Sequence, residues 1–170
     1  ALPGPIGGLQ TGCATDGTRV YTNGIDLLPH PPGDDHTYTP PTGGRVTAIS
    51  LDPQAAIWRH ERPPVPWVGG TEEQPLFENT GDPIACGLAL ANGLIFCTTF
   101  SSNQLLCLDA NTGELLKEIP LGPVLCGPSV SNGRVYVGTG NTQFNDKPEE
   151  AFFPKKYTGE LLVFGLPEEE

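Results

Sequence analysis

The 170-residue chain carries 22 glycines and 19 prolines, above ordinary usage, which leaves little room for long helices and favours short strands joined by turns. Nine basic residues against twenty acidic ones give a formal net charge of -11, which argues against nucleic acid or an anionic membrane surface as partner, since both call for clustered Lys and Arg. No apolar run approaches the roughly 20 residues of a membrane helix and no basic, apolar leader opens the sequence, so the expectation is a soluble chain, already processed or cut from something larger.

In chain order, residues 1–8 are rich in Pro and Gly and read as a linker. From Leu9 a repeat begins. Thr15-Asp-Gly-Thr-Arg-Val-Tyr21, Ala91-Asn-Gly-Leu-Ile-Phe96 and Ser131-Asn-Gly-Arg-Val-Tyr136 each set an Asp-Gly or Asn-Gly turn before an apolar, strand-favouring run, a strong hairpin signal. The second and third turn glycines, Gly93 and Gly133, stand 40 residues apart, which suits a four-stranded propeller blade. Gly17 and Gly93 stand 76 apart, so the first copy carries insertions.

The second copy is nearly bare: strand A over Cys86 to Leu90, B over Leu94 to Thr98, C over Leu105 to Leu108 and D over Leu115 to Ile119, with a turn at Asn111 to Glu114. In the first copy C spans Val46 to Leu51 and D Ala55 to His60. Ala48 to Trp58 and Cys107 to Lys117 cover the same separation, so these two copies match without a gap. In the third copy C is Glu160 to Phe164, and strand D is missing. The fold class expected is therefore all-β, about three four-stranded antiparallel propeller blades forming an incomplete ring. The blades are residues 9–61 with an insertion at 24–44, residues 85–121 after a loop at 62–84, and a partial blade 122–166 with an insertion at 140–158. Because propellers close with typically 4–8 blades, the remaining blades are expected from the full-length chain or a partner chain.

In an antiparallel meander the B–C and D–A connections emerge at one end of the strands, so all three long connections share a face. That face carries the candidates for chemistry. Asp34, Asp35 and His36 suggest a metal or a polar loop tip; His60 ends strand D either facing these loops or capped at a strand end; Trp67, Phe77, Phe144, Phe152 and Phe153 cover a pocket or anchor their own loops. Lys155 and Lys156 beside Tyr157 make a small basic spot. Cys13, Cys86, Cys97, Cys107 and Cys126 lack metal-type spacing and cannot all pair internally; they read as small apolar residues, with some pairing open to an exported chain. There is no Gly-rich phosphate loop, GxSxG elbow or HExxH helix.

The string Leu105-Leu-Cys-Leu-Asp-Ala-Asn-Thr-Gly-Glu-Leu-Leu116, with Asn132-Gly-Arg-Val-Tyr-Val-Gly-Thr139, resembles the blade repeat of the quinoprotein β-propellers, in which Ala-Leu-Asp-Ala and Thr-Gly-Glu lead into a strand ending in Trp. Trp58 holds that position in the first copy and Lys117 in the second. Gly8-Leu-Gln-Thr-Gly-Cys-Ala-Thr-Asp-Gly17 is similar to a strand opening in the polyvinyl-alcohol-dehydrogenase branch of the group. Tyr136-Val-Gly-Thr-Gly-Asn141 resembles the run that closes a B-type strand in calcium-dependent quinoprotein alcohol dehydrogenases. The resemblance implies an alcohol-oxidising dehydrogenase with pyrroloquinoline quinone and calcium, Asn141 as a metal ligand, Thr139 and Asn141 at the cofactor, and a periplasmic or extracellular location. No residue matches that family's catalytic Asp or its Glu ligand. Two alternatives stay open: Gly138 and Gly140 simply let the chain leave the strand for a long loop, and the repeat also builds cofactor-free scaffolds that bind protein or polymer.

Overall fold

The computed structural model describes residues 6–8, 11–27, 43–70, 75–84, 86–140 and 159–165. Among these there is no helix, and none is long and apolar enough to cross a membrane. The described residues form three consecutive antiparallel sheets and one hairpin, a partial set of propeller blades.

The central blade has the order β11 (Leu115–Pro120), β10 (Gln104–Asp109), β9 (Leu94–Thr98), β8 (Ala89–Ala91). Its A–B turn is the expected two-residue hairpin, with Asn92 and Gly93 both at positive φ, 50° and 75°. Asn132 and Gly133 repeat the conformation at 50° and 70°, joining β12 (Ser129–Ser131) to β13 (Arg134–Thr139), which pairs in turn with β14 (Glu160–Phe164). Among the described residues this blade has three strands, with β14 at its edge.

The first blade pairs β3 (Arg19–Leu27) with β4 (Gly43–Leu51) and β4 with β5 (Gln54–Glu61). The matched spacing of the two C–D hairpins is a shared register: Ala48 pairs with Trp58 as Cys107 pairs with Lys117, and each hairpin is bulged at the next step, Ala48/Ile49 and Cys107/Leu108. Three details differ from the sequence reading. The inner edge of the first blade is shared by β2 (Ala14–Thr15) and by β1 (Ile6–Gly8), the latter within the stretch read as a linker. Gly7 and Gly8 carry no strand signal, but backbone pairing to Asp26 and Ile25 needs no side chain. The β3–β4 pair also runs past its expected end, to Asp26 and Gly43. Finally, the 62–84 connection holds a hairpin of β6 (Pro64–Gly70) and β7 (Pro75–Gly81), where prolines hide the strand pattern.

The inner strands lie side by side, β2 against β8 and β8 against β12. Between blades, alternate residues divide the apolar side chains. Ile95, Cys97, Leu106 and Leu108 face the first blade and join Tyr21, Val46 and Ala48 in one core. Leu105, Phe96 and Ile119 face the third blade and join Val124, Val135, Val137 and Phe164 in a second. At the axial end, Gly127 packs on the backbone of Gly87 so tightly that a Cβ would stand 2.4 Å from the Gly87 carbonyl oxygen.

The first junction is clamped by β5 and the residue after it. Trp58, His60 and Arg62 alternate toward the central blade. Trp58 Nε1 donates to the Ala110 carbonyl at 3.1 Å, its ring lies over Gly113, and Arg62 bonds Glu118 and Gln104. Asp109 closes the turn beneath, accepting from the amides of Asn111 and Thr112. The repeat's Thr-Gly turn is thus the seat for the preceding blade's Trp. The second junction has Lys117 in place of Trp.

Candidate functional site: the exit of the third blade's second strand

The Tyr136–Asn141 run occupies the end of β13. Residues at the same place in each blade reach across to the next one: Asn23 Nδ2 donates to the Ile84 carbonyl and Thr98 Oγ1 to the Cys126 carbonyl, both at 2.7 Å. The third copy has Gly138, which offers only backbone; its carbonyl accepts from Cys126 Sγ at 3.1 Å. Two residues on, the amides of Phe100 and Gly140 make matching bonds, to the carbonyls of Pro83 and Pro123, each at 2.8 Å. Gly140 does so at φ 90°, whereas Phe100 has no positive φ, so one anchor serves two exit directions. Only the glycine takes the chain out of the strand in the left-handed region, and it does so where the 140–158 insertion begins.

Thr139 is half-buried beside Gly122, where a Cβ would make ordinary contact with Thr139 Oγ1 at 3.8 Å. The equivalent Thr99 turns its hydroxyl inward, bonding Ser102 Oγ at 2.8 Å and accepting from the Gln104 amide at 3.0 Å. Thr139 Oγ1 has no such local partner among the described residues. Opposite Thr139 in register stands Glu160, the one acidic residue paired with this strand end. Sequence reasoning passed over Glu160 because the long insertion hides which residue faces Thr139; the match of Leu161-Leu162 to Leu105-Leu106 was the signal that could have placed it.

Asn141 lies outside the described residues, as do Asp34, Asp35, His36, Phe144, Phe152, Phe153, Lys155, Lys156 and Tyr157. Trp67 and Phe77 belong to paired strands of the β6–β7 hairpin, opposite Glu78 and Val68. His60 sits half-buried in the first junction, beside Arg62, with Nε2 buried and unpartnered. Burial first, and the Arg62 charge second, hold its pKa below the usual imidazole value. The thiols are free; burial raises Cys86 and Cys107 and pushes Cys97, in the first core, up to about 12, which disfavours the thiolate at all three.

Oxygen donors suit a hard cation. The strand end offers the Thr139 hydroxyl and, opposite it in register, Glu160. They are not a whole calcium site, and among the described residues no cluster of three His, Cys, Asp or Glu forms one. The described residues therefore do not by themselves fit the metal.

Fold and site together define consecutive antiparallel sheets that make a partial set of β-propeller blades. No family model and no curated protein matches the chain. Among solved structures, it is similar to a europium-containing methanol dehydrogenase, at 26% identity and a TM-score of 0.47, over 75% of this chain and 19% of that one. The chain thus spans about a fifth of that enzyme's length.

Proposed function

We propose that the chain is part of a quinoprotein-like β-propeller, an alcohol-oxidising dehydrogenase that uses pyrroloquinoline quinone and calcium, with Asn141 as a metal ligand and Thr139 at the cofactor. The observation that supports the reading is the exit of β13: the shared anchor to the preceding proline, combined with the positive φ of Gly140, turns the chain out of the strand at the residue before Asn141. Asn141 and Thr139 would hold the group, and the cation would supply Lewis-acid polarisation of the quinone. The chain's own contribution is to hold Thr139 and Glu160 at one strand end on a rigid sheet, with Asn141 two residues after Thr139 in sequence. Further blades, from a longer chain or a partner chain, supply the rest of the ring and the remaining ligands. A periplasmic or extracellular location accords with this class.

The test is an absorbance titration of pyrroloquinoline quinone into the full natural protein with and without Ca²⁺, alongside Asn141→Ala. A saturable, Ca²⁺-dependent change that weakens about tenfold or more in the variant supports the proposal. An unchanged quinone spectrum at saturating Ca²⁺ sinks it and leaves the cofactor-free scaffold that binds protein or polymer.

A further inference from the structure

Each blade has a receiving face and a presenting face. The presenting face of the first blade, Tyr21, Val46 and Ala48, is fully buried by the central blade, at 0% exposure. The presenting face of the central blade, with Phe96 and Leu105, is covered by the third blade, and Leu105 is 2% exposed. The repeat register carries the same positions onto the third blade as Tyr136, Leu161 and Val163, with Tyr136 paired to Val163 and Gly138 to Leu161. Here Leu161 is 68% exposed and Val163 46%. Leu161 stands in water at a position that Val46 and Leu105 fill as buried residues in the other two copies; at the position of Val163, Ala48 is buried and Cys107 half-buried.

We infer that the Tyr136–Leu161–Val163 face of the third blade is a docking surface for a further blade of the same repeat, carried on polypeptide outside residues 1–170. The occupant's chemistry follows from the two junctions already formed. The receiving faces are alternating aliphatics on adjacent strands B and C: Ile95 and Cys97 with Leu106 and Leu108 in the central blade, Val135 and Val137 with Leu162 and Phe164 in the third. A second copy of this chain does not offer such a face. At the matching positions its first blade keeps apolar Val20 and Ile49, half-buried, but replaces the other pair by Thr22 and Thr47, polar and already buried at 6% and 7% exposure. Because Gly138 lies on this same surface, the docked blade abuts the β13 exit. The inference needs no cofactor and stands or falls apart from the quinone proposal.

The experiment places the photo-crosslinker p-benzoylphenylalanine at Val163 in the full natural protein, illuminates it, and maps the linked peptides by mass spectrometry. The same probe at Phe96 is the control, expected to link to the Val124–Val137 region of the second core. Expected at Val163 is a link, in yield comparable to the control, to a segment outside residues 1–170 with alternating aliphatics. Adding Leu161→Lys, which replaces an exposed side chain and leaves both described cores intact, should reduce that link to background. A link into residues 1–170, whether of the same chain or of an isotopically marked second copy, overturns the inference. So does no link at Val163 when the Phe96 control succeeds.

Discussion

The seat of Trp58 on Gly113 makes a sharp prediction about Gly113→Ala. Gly113 has φ 75°, which costs an L-residue about 1–2 kcal/mol. Its new Cβ would also stand 2.5 Å from the Trp58 ring atom Cε3 and 2.7 Å from Cδ2, so the indole must move or the turn must open, an overpacking cost of about 1–3 kcal/mol. The sum is about 2–5 kcal/mol. Trp58→Ala removes the indole, its bond to the Ala110 carbonyl and its contact with Tyr21, whose ring centroid lies 6.0 Å away, and should cost about 3 kcal/mol. In the double variant nothing remains for the Cβ to strike, so Gly113→Ala should then cost only its backbone strain. Urea unfolding of the four proteins gives the coupling directly, expected at about 1–3 kcal/mol in favour of the double variant. Equal costs of Gly113→Ala in the presence and absence of Trp58 would refute the lock between these blades.

Other outcomes follow from the same packing. The His60 pKa is lowered in the folded state, so the unfolded chain binds the extra proton first; stability should hold above about pH 6.5 and fall as the pH drops below it. In His60→Gln that component of the pH dependence of unfolding should vanish. Asp16 accepts from Thr18, Arg19 and Tyr21, which hold its carboxyl well below the usual range, with the Thr18 bonds contributing most. Stability from this carboxylate should be present above about pH 4 and lost below it, with a shallower acid slope in Asp16→Ala, read by chemical denaturation across that range. Cys13 is exposed whereas Cys97 is fully buried with its pKa near 12, so an alkylating reagent at mildly alkaline pH should label Cys13 in the native protein and Cys97 only after unfolding; mass spectrometry of the labelled peptides decides.

Where residue type and spacing carried the physics, the sequence was readable. Asn92-Gly93 and Asn132-Gly133 announce positive φ at both positions, and both turns adopt it. The equal separations of Ala48–Trp58 and Cys107–Lys117 foreshadow a shared register, though not the shared bulge. What escaped was set by backbone or by tertiary contact. Ile6–Gly8 pairs through main-chain groups, and Pro64, Pro66 and Pro75 mask the β6–β7 hairpin. Trp58 stood out as a repeat position, but its seat on Gly113 lies in the next blade and is invisible to local pattern. At the candidate site, the motif pointed to Thr139 and Asn141; the Gly140–Pro123 anchor and the pairing of Thr139 with Glu160 depend on chain segments brought together only by folding.

The most direct measurement is the amide spectrum of the isotopically labelled natural protein as pyrroloquinoline quinone is added with Ca²⁺. The account predicts shifts concentrated at Gly138, Thr139 and Gly140 and at Gly122 across from them, with the turn at Asn132-Gly133, at the far end of the same strand, unmoved. Shifts confined to other surfaces, or none at saturating quinone and Ca²⁺, would contradict it.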